Sequence, residues 1–217
     1  VMRGTLDYPE LIRPLFAIGG MIMVLFGLLQ MMGNQFGFDR DGFRVYVLCA
    51  APRRDILLGK NLSFVPIVLV MAAIVLAIVQ FLSPMRWDHL LATIPQYFSM
   101  FLLFCILANA LSILAPVYIA AGSMKPANPK LSAILLQFAM FAFAFPITQA
   151  LVLIPLGSEA MLRLWGWPPR APVYLALSLV ECGVVAAFYY ASLGWLGSLL
   201  QSREQQILDC VTNRGVA

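Results

Sequence analysis

The chain has 217 residues, 62% of them hydrophobic and 11% charged, with a mean hydropathy of +0.89. That balance excludes an ordinary water-soluble domain, whose charged fraction runs at about 25%, and reads as an integral membrane protein. The formal charge of +4 is no nucleic-acid footprint: no basic cluster is dense, and cytoplasmic loops of membrane proteins collect Lys and Arg in any case.

A hydrocarbon core needs roughly 20 apolar residues per helix, and five stretches approach or exceed that length. The first runs from about Leu15 to Met32, with Pro14 suited to its first turn and Gly19, Gly20 and Gly27 expected to admit a neighbouring helix closely. The second covers about Ser63 to Leu82, with Pro66 near its start. A polar link, Ser83 to Ile94, leads to the third, about Pro95 to Ala120, which Pro116 interrupts near its end. After the turn Gly122 to Lys130, the fourth runs from about Leu131 to Leu156, and Pro146 in its interior predicts a kink or two half-helices. Gly157 to Ala171 reads as a loop with the Trp content of a membrane interface. The fifth covers about Pro172 to Leu200, long enough to tilt or project, and a polar tail, residues 201–217, closes the chain.

Open sheets do not cross a bilayer, so the expected fold is all-α, a polytopic membrane helical bundle of about five spans forming one transmembrane domain over residues 1–217. Five spans put the termini on opposite sides. With Asn34 to Leu62 inside, Arg40, Arg44, Arg53, Arg54, Lys60, Lys125, Lys130, Arg203 and Arg214 are inside; Arg3, Arg13, Arg86, Arg163 and Arg170 are outside. The positive-inside rule therefore favours an outside N-terminus and a cytoplasmic tail. The first residues show no basic n-region followed by a cleavage site. A start at Val1, running straight into a span, fits either a piece of a larger protein that lacks an upstream helix or a non-standard start codon.

Asn34 to Leu62 is the long charge-bearing interval, with Asp39, Arg40, Asp41, Arg44, Arg53, Arg54, Asp55 and Lys60 interleaved with Phe36, Phe38, Phe43, Val45, Tyr46, Val47 and Leu48. A helix meant for a lipid surface favours Lys and Arg over Asp. The mixed signs and aromatic anchors here suit a protein groove better.

Within that stretch Asn34, Phe36, Gly37, Asp39, Gly42, Pro52, Arg53, Arg54, Leu58, Gly59 and Lys60 resemble the cytoplasmic segment of ABC-2-type exporter permeases. The tail residues Arg203, Glu204, Ile207 and Leu208 are similar to the Arg-Glu-x-x-Ile-Leu that follows the last span of such permeases. The resemblance implies six spans per half, so the first span here corresponds to the family's second. It implies a permease subunit in a bacterial or archaeal cytoplasmic membrane that pairs with itself or a related half. It also implies that residues 34–62 form a coupling segment for a separate ATP-binding subunit, through Phe38, Asp39, Gly42, Phe43, Pro52, Arg53, Arg54, Gly59 and Lys60. The alternative is a membrane scaffold or assembly protein whose loop binds another cytoplasmic partner.

No catalytic set is expected. Leu58-Gly59-Lys60-Asn61 lacks the upstream glycine and the hydroxyl residue of a Walker A loop, and a single histidine rules out a two-histidine zinc protease motif. His89, beside Trp87 and Asp88, reads as interface decoration. The four cysteines are far apart, so neither a disulfide framework nor a metal site is expected, and no cofactor is. Glu181 is the acidic residue well inside an apolar run. Intramembrane carboxylates are costly and by default functional candidates, so it could line a substrate path, pair with a basic group, meet water at shallow depth or make a structural hydrogen bond. Asn109, Gln137 and Gln149 are expected to make interhelical hydrogen bonds.

Overall fold

Residues 10–120, 131–166 and 172–212 are described by a computed structural model, and every regular element among them is a helix. Five helical stretches are long and apolar enough to cross a membrane: α1 (Arg13–Met32), α4 (Arg53–Leu82), α5 (Trp87–Leu114), the stretch Leu131–Leu151, and α9 (Val173–Val211). The chain is thus an all-α, multi-pass membrane protein. Two short helices, α2 (Gln35–Asp39) and α3 (Phe43–Leu48), joined by a 3₁₀ turn at Arg40–Gly42, lie between α1 and α4. The turn 122–130, residues 167–171 of the Trp-rich loop, and Arg3, Lys125, Lys130, Arg170 and Arg214 of the charge asymmetry lie outside the described residues.

The spans match the expected number, but several boundaries move outward. α4 begins ten residues before Ser63, so Arg53, Arg54, Asp55, Gly59 and Lys60 are helical rather than in a loop. α5 begins at Trp87, with Asp88 in its first turn where the helix dipole favours an acid, so the link shrinks to residues 83–86. It ends at Leu114, ahead of Pro116, as the steric restriction on the residue before proline requires, and not at Ala120. Part of the expected Trp-rich loop is instead α8 (Ile154–Leu164), with Pro155 in its first turn. The tail is not separate: α9 runs 39 residues, to Val211. At 1.5 Å per residue that is about 58 Å, roughly twice a hydrocarbon core.

The fourth span is broken as Pro146 predicts, but by a wide turn. α6 (Leu131–Ala139) passes through a π-helical segment, Met140–Ala144, into α7 (Phe145–Leu151). Pro146 offers no N–H, and its ring crowds the carbonyl four residues back, at Ala142, inside the π segment, whose extra residue absorbs the mismatch.

Two compact units emerge from the same helices. The first comprises Val1–Phe26, Pro66–Leu103 and Ile147–Ala187. Its core gathers Ala92, Leu156 and Tyr174, flanked by Leu11 and Leu175, and the Tyr97 hydroxyl donates to the Ala17 carbonyl at 2.9 Å. Of the three glycines expected to admit a neighbour, only Gly20 does so: a Cβ there would sit 2.5 Å from Val75 Cγ1, whereas Gly19 and Gly27 face open space.

The second unit comprises Gly27–Val65, Phe104–Pro146 and Phe188–Ala217. Phe104 and Phe145 meet edge to face at 5.9 Å, and Asn61 Nδ2 donates to the Tyr189 hydroxyl at 2.8 Å. α5 is the most enclosed span, with 78% of its most apolar stretch buried, against 17% for α4 and 6% for Leu131–Leu151. The large apolar side chains on those last two face outward, as expected of helices solvated by lipid.

Candidate functional site

Asn34 fixes the start of the α2–α3 segment. Its side chain does not cap α2. It pairs instead with the backbone that follows α5, donating from Nδ2 to the Val117 carbonyl at 2.8 Å and accepting the Val117 N–H at 2.9 Å. Gln35 donates to Asn109 Oδ1 at 2.7 Å, and the Phe36 N–H donates to Ser112 Oγ at 3.2 Å. Three successive residues are thereby stitched to the end of α5. Gly37 completes the seam, because a Cβ there would lie 2.2 Å from the Val117 oxygen. Arg40 holds a positive φ of 51°, a strained backbone position for a non-glycine residue. Its guanidinium donates to the Ile119 and Ala120 carbonyls at 3.0 and 2.9 Å, which holds that conformation in place.

Two ion pairs tie the segment to the long helices of the same unit. Lys60 on α4 meets Asp39 at 2.5 Å and lies over the rings of Phe36 and Tyr46, 5.3 and 5.0 Å from their centroids. Burial pushes the Asp39 carboxyl above its ordinary value, and Lys60 offsets this only in part. Arg53 pairs with Glu204 near the end of α9 and also donates to the carbonyls of Cys49, Ala51 and Val47, each at 3.2 Å.

The residues singled out in sequence therefore separate into two groups. Phe43 is buried, packed edge to face on Phe36 at 5.2 Å. Phe38, Asp39, Arg53 and Lys60 are half-buried, the last three in the ties just described. Gly42, Pro52, Arg54 and Gly59 are exposed. So are residues outside that set: Asp41 and Arg44, paired at 3.3 Å, and above all Val45 and Leu48, 65% and 86% exposed on α3. Apolar side chains at i and i+3 stand on one helix face. That spacing was the signal that marks them.

The first unit holds a second polar centre, which the sequence reading missed. His89 is fully buried and so is not interface decoration; the exposed member of that trio is Trp87. His89 Nε2 lies 3.1 Å from Glu159 Oε1. Glu159, 2% exposed, also pairs with Arg163 and accepts the Tyr174 N–H at 2.9 Å. Arg163 reaches Glu10 at 3.7 Å, Glu10 meets Arg86 at 3.4 Å, and Arg86 meets Asp88 at 2.6 Å. Burial alone would raise the Glu159 carboxyl. The His89 hydrogen bond and attraction, the Tyr174 N–H and Arg163 together outweigh it and hold the group at about 2.

Glu181 makes the structural hydrogen bond that was one of its open readings, accepting from Gln96 Nε2 at 2.7 Å. Asn109 and Gln137 also bond across elements, Gln137 to the Ala115 carbonyl at 3.3 Å. Gln149 does not: it is buried, and neither end of its amide has a partner among the described residues. None of the four cysteines is in a disulfide, and among the described residues no three His, Cys, Asp or Glu side chains gather as a metal site. No protein-family model matches the chain, and neither a curated protein nor a solved structure matches it.

Proposed function

We propose that the chain is part of a transmembrane permease of an ATP-driven exporter of the ABC-2 type, and that residues 34–62 couple it to a separate ATP-binding subunit on the cytoplasmic side. What carries this reading is the contrast within the segment. Asn34, Gln35, Phe36, Gly37, Asp39–Lys60 and Arg53–Glu204 bind it to α4, α5 and α9. Val45 and Leu48 meanwhile stand outward among Asp41, Arg44, Pro52 and Arg54. An element held firmly on one side and apolar, with both charge signs, on the other suits the task of passing a partner's movement into the spans. In this reading the membrane is a bacterial or archaeal cytoplasmic one, with the tail of α9 on the cytoplasmic side. The outward apolar faces of α4 and Leu131–Leu151 then meet lipid and a second permease half.

Photoreactive residues in place of Arg44 and of Arg54, in native membranes, test the reading. The expected product is a crosslink to a subunit carrying a Walker A loop, weakened by Leu48→Glu. Crosslinks only to the chain itself, or to a partner without a nucleotide-binding fold, overturn it in favour of a membrane scaffold.

A further inference from the structure

Tyr174, Ser178 and Glu181 follow one another at i, i+4 and i+7 on α9 and so share a face, and α5 sets Gln96 against it. Gln96 is fully buried and spends both amide hydrogens here: Nε2 donates to Ser178 Oγ at 3.0 Å and to Glu181 Oε2 at 2.7 Å. The remaining oxygens of the pair, Gln96 Oε1 and Glu181 Oε1, are both buried and without a hydrogen-bond partner among the described residues. Tyr174, also fully buried, has a hydroxyl with no hydrogen-bond partner among the described residues and lies within electrostatic reach of Glu181, Tyr97 and Glu159. Ser178 and Cys182 on α9 and Tyr97 and Ser99 on α5 are the neutral side chains nearby, and the charge-bearing His89–Glu159 pair meets the site at Tyr174, with the His89 ring 5.5 Å from the Tyr174 ring and Glu159 accepting the Tyr174 N–H. No described Lys, Arg or His forms an ion pair with Glu181, whose hydrogen bond is to Gln96.

An ionised carboxylate is a pure acceptor. In that form Glu181 would leave two buried oxygens facing no donor and place an uncompensated charge among apolar spans, which costs several kcal/mol. A carboxylic acid and a primary amide are complementary instead: the amide N–H donates to one acid oxygen while the acid O–H donates to the amide oxygen. A single proton supplies the one donor that both orphaned oxygens lack.

We propose that Glu181 and Gln96 form a proton-binding site within the spans, with Glu181 Oε1 carrying a proton at neutral pH and donating it to Gln96 Oε1. The proton comes from water and returns to it when the site is hydrated. On loading, the O–H bond on Glu181 Oε1 forms as an O–H bond of hydronium breaks to leave water, release is the reverse, and no group changes oxidation state. Any rearrangement that admits water between α5 and α9 at Gln96 therefore releases a proton, and one that expels water takes one up. This inference does not rest on the exporter reading.

Infrared spectroscopy of the full chain in phosphatidylcholine nanodiscs tests it. The wild type at neutral pH should show a protonated carboxyl carbonyl band that shifts on exchange into D₂O and is missing in Glu181→Gln, where an amide replaces the acid. Gln96→Leu removes the ring and should move that band to higher frequency. A wild-type minus Glu181→Gln spectrum that shows carboxylate bands in place of the acid band overturns the proposal. If Glu181→Gln does not fold, the wild-type spectrum decides: an acid band at neutral pH that Gln96→Leu moves supports it, and the absence of one overturns it.

Discussion

Gly37 and Gly42 stand five residues apart in the same short segment, and one methyl group should separate them sharply. At Gly37 a Cβ would sit 2.2 Å from the Val117 oxygen, against backbone already bonded to Asn34, while at Gly42 it meets nothing. Gly37→Ala should lower stability by about 2 kcal/mol or more, and Gly42→Ala should be close to neutral; thermal unfolding in detergent, followed by tryptophan fluorescence, reads both. Equal effects would mean that the seam to Val117 is soft. Glu159 gives a second single-residue prediction, this time in pH. Its carboxyl is held at about 2, below the ordinary 4.5. The stability it contributes is therefore fully present above pH 4.5 and lost as pH falls toward 2. The gap amounts to about 3 kcal/mol. An acid titration of unfolding should show this loss in the wild type, and Glu159→Gln should flatten it; identical profiles would show that the carboxyl is not held by His89, Tyr174 and Arg163.

Among the elements, α9 and α4 owe part of their alignment to one pair of side chains. Arg53 and Glu204 are each 15% exposed, so removing one partner strands the other in a half-buried place, at a cost of about 1–3 kcal/mol. Glu204→Ala should speed amide exchange over residues 201–211 by roughly 10-fold, and adding Arg53→Ala should cost less than the two single effects summed. Additive effects would mean that the pair does not hold the helix end. The helices and their ties differ in how far they could be read in advance. Span number and the break at Pro146 follow from local hydrophobicity and a missing N–H, and both were legible. The helix starts were not, because Arg53 to Lys60 carries charge on a helix that simply continues the span outward. The end of α9 carried a local signal in Ile207 and Val211, buried four residues apart, and the expected polar tail passed over it. His89 and Glu159 are 70 residues apart, and nothing local in either neighbourhood announces the other. Asn34, Phe36, Gly37, Asp39 and Lys60 stood out in the sequence as a pattern of residue types. Its physical content, a seam to Val117 and an ion pair roofed over two rings, needed the fold.

At the scale of the whole molecule, the order of the spans makes a prediction that no single contact does. One span separates residues 33–52 from residues 83–86, and four separate residues 33–52 from the end of α9. An odd number of crossings reverses the side of the membrane and an even number restores it. Arg44→Cys and Ser202→Cys should therefore be modified from one face, and Trp87→Cys from the other, in a chain whose Cys49 and Cys210 are replaced by serine. The charge asymmetry adds an expected direction to this parity: with Arg40, Arg44, Arg53, Arg54, Lys60 and Arg203 in the segments that parity puts together, the positive-inside rule predicts that this side is the cytoplasmic one. In sealed right-side-out vesicles a membrane-impermeant maleimide should reach Trp87→Cys at once, and Arg44→Cys and Ser202→Cys only after permeabilisation. The reverse order would keep the span count and put the α2–α3 segment outside, where no ATP-binding subunit could meet it. Labelling of Arg44→Cys and Ser202→Cys from opposite faces would instead show that one of the five apolar helices, such as the π-interrupted Leu131–Leu151, does not cross.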